Sequence, residues 1–244
     1  GAVAPWELME SEYQWHAWQG LELAVEEINN AGGVGGRTIR IEARDDKNSV
    51  VEGKKIAAEL SSNVDVVAVI GHLNSSISIA TSVVYQYYGL VMISPSSEDP
   101  ELTERNLPYV FRIIPTTVDY MDALADFATD RGFERIVIYN EHNTYGRKYA
   151  SAFSMAAYNR GINIIDHKTF IPSKNTTLYR KNILEWKSQY AFDALFIGGA
   201  DRAVPEIINL MHDNGINAPI LGVEFFDTPL FTNALHDIDM PIYV

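Results

Sequence analysis

The chain has no cysteine, which excludes a disulfide framework, a thiolate metal site and a cysteine nucleophile. It has no apolar run near the roughly 20 residues that a membrane-spanning helix needs. Basic residues are also scarce, since 19 Lys and Arg stand against 32 Asp and Glu and give a net charge of −13. This balance argues against nucleic acid and anionic membranes as partners, because both require basic patches.

The sequence also lacks the motifs of several catalytic and cofactor-binding classes. It contains no G-x-S-x-G elbow, and its six histidines are scattered without an H-x-x-x-H pair. A glycine-rich stretch at 29–36 follows a helical pattern instead of opening one, which predicts a helix C-cap and turn, not a phosphate loop. We therefore predict no catalytic residue, no metal and no cofactor.

Strand and helix patterns alternate along the chain. Of its 244 residues, 47% are hydrophobic, which is enough for a sizeable core in one large domain or two small ones. The alternation predicts an α/β fold with doubly wound parallel sheets. It breaks at about Arg112 to Thr117 and then restarts. We therefore predict lobe I over residues 1–116 and lobe II over residues 117–244.

The stretch from Asp65 to Glu98 carries the clearest pattern. Its first apolar run, Val66 to Ile70, predicts a strand buried on both faces. Asn74, Ser75 and Ser76 then precede a helical pattern, and a second apolar run ends at Ser94 to Ser97. Two neighbouring strand ends thus present hydroxyls and backbone N–H groups, and a helix N-terminus of this kind is a natural site for a carboxylate.

Other elements are expected from the same patterns. We predict a helix from Gln14, a strand over Arg37 to Ala43 and a strand over Tyr109 to Ile114. The last twenty residues show no clear pattern.

In open parallel sheets, ligands bind outside the carboxyl ends of the strands. In lobe I, the expected strand ends are the loop around Trp6 and Tyr13, residues 73–76 and residues 96–98. In lobe II, they are residues 140–145, 199–201 and 224–227. The first set is rich in donors, whereas the second carries acids. This asymmetry predicts a zwitterionic ligand, with its carboxylate on the serine turns and its ammonium on Glu224.

Each of these residues also has a structural interpretation. Ser75 and Ser76 are typical helix caps, and Ser94 to Ser97 is compatible with an ordinary turn. Glu224 at a strand end is compatible with a solvated acid, and Tyr145 with a packing aromatic.

Taken together, several stretches resemble the type I periplasmic binding proteins, in particular the leucine/isoleucine/valine-binding branch that serves ABC importers. The stretches that carry the resemblance are Gly20 to Asp46, Val69 to Ser78, Gly89 to Thr103, Tyr109 to Thr117, Asn140 to Gly146, Gly198 to Asp201 and Leu221 to Glu224. The resemblance implies two lobes with a hinge, an amino acid held in the cleft between them, and no chemistry performed. It also implies a periplasmic or other extracytoplasmic location and the importer's membrane subunits as partners.

The resemblance assigns roles to matching positions. Ser75 corresponds to the serine that binds the ligand carboxylate, Ser96 to a backbone contact, and Glu224 to the acid that binds the ammonium. Leu73 and Tyr13 correspond to the side-chain pocket, as does Tyr145 in lobe II. The full set of predicted ligand-binding residues is Tyr13, Leu73, Ser75, Ser76, Ser96, Ser97, Glu98, Tyr145, Asp201 and Glu224.

Three features depart from the family pattern. Glu98 stands where a threonine is usual, which predicts repulsion of a carboxylate or selection of a more cationic ligand. Ala200 and Asp201 stand where a tyrosine follows the glycine pair. Chains of the family are also longer and return to lobe I at their C-terminus; that return is absent or incomplete here, so we expect a fragment or a shortened variant.

Two other functions remain open at this point. The same fold serves as the ligand-sensing extracytoplasmic domain of signalling receptors, and a flanking membrane span would favour that role. An enzyme on a doubly wound fold is the third class, and turnover of a bound ligand would reveal it.

Overall fold

The computed structural model describes residues 1–5, 12–173, 175–236 and 238–244, without the side chains of residues 12–16. The chain divides into two compact units, unit 1 over Gly1–Thr116 and unit 2 over Thr117–Val244. No helix within the described ranges is long and apolar enough to cross a membrane.

Unit 1 is built from short strands that alternate with helices. In chain order the elements are β1 Ala2–Ala4, α1 Glu12–Asn30, β2 Ala43–Asp45, α2 Val50–Ser62, β3 Ala68–Ile70, α3 Ser75–Tyr88, β4 Val91–Ser94, α4 Glu101–Glu104 and β5 Val110–Arg112. The strands found in the described residues form one parallel sheet in the order β2-β1-β3-β4-β5. This is the predicted α/β arrangement for the first lobe.

Two predicted strands of unit 1 are longer than the observed ones. The strand expected over Arg37 to Ala43 is wrong for most of its length, because only Ala43–Asp45 pairs with β1. A strand at the edge of a sheet extends only as far as its single neighbour gives it hydrogen-bond partners. The strand expected over Tyr109 to Ile114 is confined to Val110–Arg112.

Burial alternates across the sheet of unit 1. The cross-strand row Val69, Met92 and Val110 is buried in a cluster with residues of α2 and α3. In the next row, Ile70 is 37% exposed and Phe111 is 50% exposed. The prediction that the strand ending at Ile70 is buried on both faces is therefore wrong. That prediction requires helices on both faces, and α2 and α3 cover one of them.

Unit 2 has longer strands and a more extensive core. Its elements are α5 Thr117–Asp130, β6 Arg135–Glu141, α6 Thr144–Asn159, β7 Asn163–Phe170, α7 Thr177–Gln189, β8 Ala194–Gly198, α8 Ala203–Asp213, β9 Ile220–Leu221, α9 Pro229–Thr232 and β10 Ile242–Tyr243. The strands in the described residues form a parallel sheet in the order β10-β9-β8-β6-β7.

Both faces of this second sheet are covered. Successive residues of β6, from Ile136 to Tyr139, are all fully buried, as are those of β8 from Ala194 to Ile197. Residues of α5, α6, α7 and α8 complete the same cluster. The last twenty residues, which show no sequence pattern, add α9 and the edge strand β10.

Candidate functional site

The candidate site of unit 1 lies where β3 and β4 end. Gly71 follows β3 with φ +135°, and a Cβ at this position would lie 2.2 Å from the carbonyl oxygen of Val3, so the turn requires glycine. Asn74 then caps α3, since its Oδ1 accepts hydrogen bonds from the Ser76 N–H at 2.9 Å and the Ser76 hydroxyl at 2.7 Å. The chain therefore enters α3 through a fixed turn.

Ser75 is the first residue of α3 and is half-buried. The capping role considered for Ser75 and Ser76 belongs to Asn74, and the Ser76 hydroxyl is used on that cap. Within the described part of the chain, the Ser75 hydroxyl has no hydrogen-bond partner. It is thus available to a ligand at the positive end of the α3 dipole.

The serine turn after β4 is fastened to the turn before α3. The Ser96 hydroxyl donates to the carbonyl oxygen of half-buried Leu73 at 2.9 Å. The Ser97 hydroxyl donates to Ser78 Oγ at 2.6 Å, and Ser97 is fully buried. The predicted contact of Ser97 with a ligand therefore has no accessible side-chain surface in this structure, whereas Ser96 keeps its backbone groups for such a contact.

Three further predicted residues of unit 1 are placed less completely. Glu98 is half-buried and already has an interaction partner within the protein. Tyr13 belongs to α1, but its side chain lies outside the described residues, and Trp6 lies outside them altogether.

The candidate site of unit 2 is centred on Glu224, at the start of a 3₁₀ helix over Glu224–Asp227. Its Oε1 accepts a hydrogen bond from the Tyr145 hydroxyl at 2.5 Å, and its Oε2 accepts one from the Tyr149 hydroxyl at 2.7 Å. The two tyrosine rings lie 4.6 Å apart, and Glu224 itself is exposed. The carboxylate is thus held in one orientation while it remains open to solvent.

Local sequence places Tyr145 at this position. Asn143 caps α6 by accepting the Gly146 N–H at 2.7 Å. A Cβ on Gly146 would lie 2.4 Å from the carbonyl oxygen of Glu141, so glycine allows the first turn of α6 to pack on the end of β6. Tyr145 and Tyr149 are four residues apart and therefore share one face of the helix.

A second acidic group lies at the ends of β6 and β8. Glu141 is nearly buried, and its Oε2 accepts the Ala200 N–H at 3.3 Å. Burial raises the pKa of Glu141, and the Ala200 N–H partly offsets this effect. Asp201 is half-buried, and its Oδ1 accepts the Ala203 N–H at 2.8 Å at the start of α8. The predicted ligand contact of Asp201 remains a prediction beside this structural role.

The structure therefore assembles the predicted residues in two groups. In unit 1, Leu73, Ser75 and Ser76 lie beside Ser96 and Ser97 at the ends of β3 and β4. In unit 2, Tyr145 bonds directly to Glu224. In the ranges described, no group of three or more His, Asp or Glu side chains is arranged to hold a metal ion.

Sequence reasoning missed Tyr149. Its signal was present, because it follows the predicted Tyr145 by one helical turn on the same face. It also missed His72, whose burial beside Asp46 has no signature in local sequence.

Comparisons with known proteins identify the family of the chain. Residues 13–239 match the family described as periplasmic binding protein. The Leu/Ile/Val-binding protein homolog 3 of Brucella melitensis is 26% identical over 84% of this chain and 55% of its own length. The chain thus spans about half the length of that curated relative.

Solved structures extend the comparison. An ABC transporter substrate-binding protein from Desulfitobacterium hafniense, solved in complex with Leu, superimposes with a TM-score of 0.81 and 33% identity, covering 93% of this chain and 66% of that one. The branched-chain amino acid transporter substrate binding protein LivJ from Streptococcus pneumoniae, in complex with isoleucine, gives a TM-score of 0.80 at 24% identity over 96% and 66% of the two chains. At this identity, the likeness to the Streptococcus pneumoniae protein shows the fold alone. With two parallel-sheet lobes and a family match over most of its length, this chain belongs to the periplasmic binding protein family.

Proposed function

We propose that the protein is an extracytoplasmic solute-binding protein that captures an amino acid or a similar small zwitterion for an ABC importer. Unit 1 supplies the site for the carboxylate and unit 2 the site for the ammonium. The protein binds and releases the ligand, and no bond of the ligand is broken.

The observation that carries this proposal is that the Glu224 carboxylate is both exposed and held in a fixed orientation. An exposed carboxylate fixed by two tyrosine hydroxyls is preorganised to accept a cation, because its orientation costs nothing further on binding. An ammonium group carries three donors and matches the remaining lone pairs of such a carboxylate. Aromatic rings beside it also favour a cation.

The turns of unit 1 support the other half of the ligand. The Ser75 hydroxyl has no hydrogen-bond partner among the described residues. Ser75 is also the first residue of α3, a helix of 14 residues, and the dipole at its N-terminus favours an anion. A hydrogen bond from a neutral hydroxyl to a charged carboxylate is stronger than a hydrogen bond between two neutral groups. A carboxylate at this turn is therefore matched by both a hydroxyl and the helix.

The names of the relatives support delivery to an importer and a location outside the cytoplasm. Those relatives are described as Leu/Ile/Val-binding and ABC transporter substrate-binding proteins. We propose a leucine-like or related amino acid as the first ligand to test. A role as the sensing domain of a signalling receptor has no observation in its favour among these features.

The test is calorimetric titration after a thermal-shift screen of amino acids, since a ligand that binds only the folded state must raise its stability. We expect Glu224→Ala to weaken binding by about 30-fold or more, because it removes one partner of a charge pair worth roughly 2 kcal/mol or more. Ser75→Ala should weaken it by about tenfold. Matched controls are Asp227→Ala on the same 3₁₀ helix and Ser62→Ala at the end of α2, and both should bind as the wild type does. Unchanged affinity in Glu224→Ala and Ser75→Ala would sink the site assignment.

The same screen tests Glu98. If this acid selects cationic ligands, Glu98→Thr should shift the preference of the protein towards neutral amino acids, because a negative charge near the site is removed. An identical ranking of ligands in both proteins would refute the selective role.

A further inference from the structure

A buried polar network lies directly beneath the two turns of unit 1. The carbonyl oxygen of His72 accepts hydrogen bonds from the hydroxyls of Ser78 at 2.9 Å and Ser94 at 3.3 Å. Ser97 joins them, because its hydroxyl donates to Ser78 Oγ at 2.6 Å and its N–H donates to Ser94 Oγ at 3.2 Å. All four residues are fully buried. One backbone atom thus collects hydroxyls from the end of β4 and from α3, and these two serines hold the turn after β4.

The side chain of His72 is fixed from two further elements. Its Nδ1 lies 2.7 Å from Asp46 Oδ2, at the end of β2, and its Nε2 lies 3.2 Å from the Tyr85 hydroxyl, on α3. Asp46 and Tyr85 are also fully buried. The ring is therefore held at both of its nitrogens. Burial raises the pKa of Tyr85, and the phenol keeps a proton to donate to Nε2.

This network joins the parts of the candidate site that the sequence keeps apart. His72 immediately precedes Leu73, whose carbonyl oxygen holds Ser96, and it lies three residues before Ser75. Asp46 reaches it from 26 residues away in sequence, and Ser97, 25 residues away, joins through Ser78 and Ser94. A displacement of His72 therefore moves both turns at once.

We propose that His72 is a positioning residue that locks the two ligand-facing turns of unit 1 in register. It acts through its ring bonds to Asp46 and Tyr85 and its carbonyl bonds to the serine hydroxyls; being fully buried, it does not contact the ligand. This inference rests on the proposed function for its effect on binding. The locking itself is a property of the ligand-free protein, so it can be tested separately.

The first experiment needs no ligand. Amide hydrogen exchange of residues 72–76 and 94–98 is compared in wild type, His72→Ala, His72→Asn and Leu60→Ala. His72→Ala should raise exchange in both segments by about tenfold or more, because both lose a shared anchor. His72→Asn, whose amide can still donate towards Asp46, should restore part of the protection. Leu60→Ala, a core truncation at the far end of α2, should leave the two segments relatively unaffected.

The second experiment measures affinity for leucine by calorimetry in the same proteins. His72→Ala should bind about tenfold more weakly, His72→Asn should recover part of that loss, and Leu60→Ala should bind normally although it is less stable. If His72→Ala fails to fold, Tyr85→Phe replaces it. That variant keeps the ring and removes a single hydrogen bond, and a smaller change in the same direction is expected in both measurements.

The outcomes separate the two proposals. Wild type that binds no amino acid overturns the proposed function, and the exchange data then decide the locking on their own. If amide exchange in the two segments rises no more in His72→Ala than in Leu60→Ala, the proposed locking is wrong. Normal leucine affinity in a folded His72→Ala variant overturns the effect on binding, whatever its stability.

Discussion

The two units share one pattern of elements but differ in how their sheets are covered. In unit 2, consecutive residues of β6 and β8 are buried whichever way their side chains point. In unit 1, the row containing Met92 is buried and the next row, with Ile70 and Phe111, is open. The order of strands and helices therefore predicts topology, whereas burial depends on what packs against the second face of each sheet.

The same difference extends to the two candidate groups of residues. Unit 1 fixes its turns through buried serine hydroxyls that are linked to one another and to one carbonyl oxygen. Unit 2 fixes the Glu224 carboxylate through two tyrosines of α6, a helix that packs into the larger apolar cluster. Unit 1, which has the smaller apolar cluster, thus holds its turns with a buried polar network, and such a network is effective only when every member is satisfied.

The largest expected effect is a truncation in the core of unit 2. Phe153 on α6 is fully buried and stacks on Phe196 with ring centroids 4.3 Å apart. Phe153→Ala should lower the free energy of unfolding by about 3–5 kcal/mol, from lost burial and the cavity left behind. Denaturant titration measures this, with exposed Tyr158→Ala on the same helix as the control. A loss below about 1 kcal/mol would contradict the description of this core.

A pair of variants in unit 1 tests the comparison more directly. Met92→Ala, in the covered row, should cost about 2–5 kcal/mol by the same measurement. Phe111→Ala, in the open row, should cost about 1 kcal/mol or less, because half of its surface is already exposed. Equal losses in the two variants would mean that another surface covers the open row in solution and would break the comparison.

The smallest effect is a pH dependence located in unit 2. Burial raises the pKa of Glu141 above its ordinary value of 4.5, so the folded chain binds this proton more tightly than the unfolded chain. The resulting stability is fully present below pH 4.5 and is lost as the pH rises through the raised pKa. Glu141→Gln should therefore change the slope of stability against pH in this window, while exposed Glu134→Gln should follow the wild type. If the curves of stability against pH are parallel for wild type and Glu141→Gln, Glu141 does not cause this pH dependence.

Much of the fold and part of the site could be predicted from sequence. The apolar runs located β3 and β4, and the polar residues after them marked the turns around Ser75 and Ser96. The position of Glu224 shortly after β9 could also be predicted, because a short apolar run precedes it. These features are local, and local patterns carry them.

Other features depend on contacts that are distant in sequence. Asp46 and His72 are separated by 26 residues, and nothing in either neighbourhood indicates the other. The Glu141 carboxyl is nearly buried because Gly199 and Ala200 pack around it, which a strand pattern does not reveal. β10 has two residues, too few for any period to be visible.

The exposed Asn74 cap has a practical consequence for producing the protein. Asn74, Ser75 and Ser76 form an acceptor triplet for N-linked glycans, and Asn175 opens a second one. In a eukaryotic secretory host, a glycan on Asn74 would stand beside the Ser75 hydroxyl and cover the start of α3. Binding measurements therefore call for a host that does not attach such glycans, or for Asn74→Asp, which keeps a side-chain oxygen for the cap.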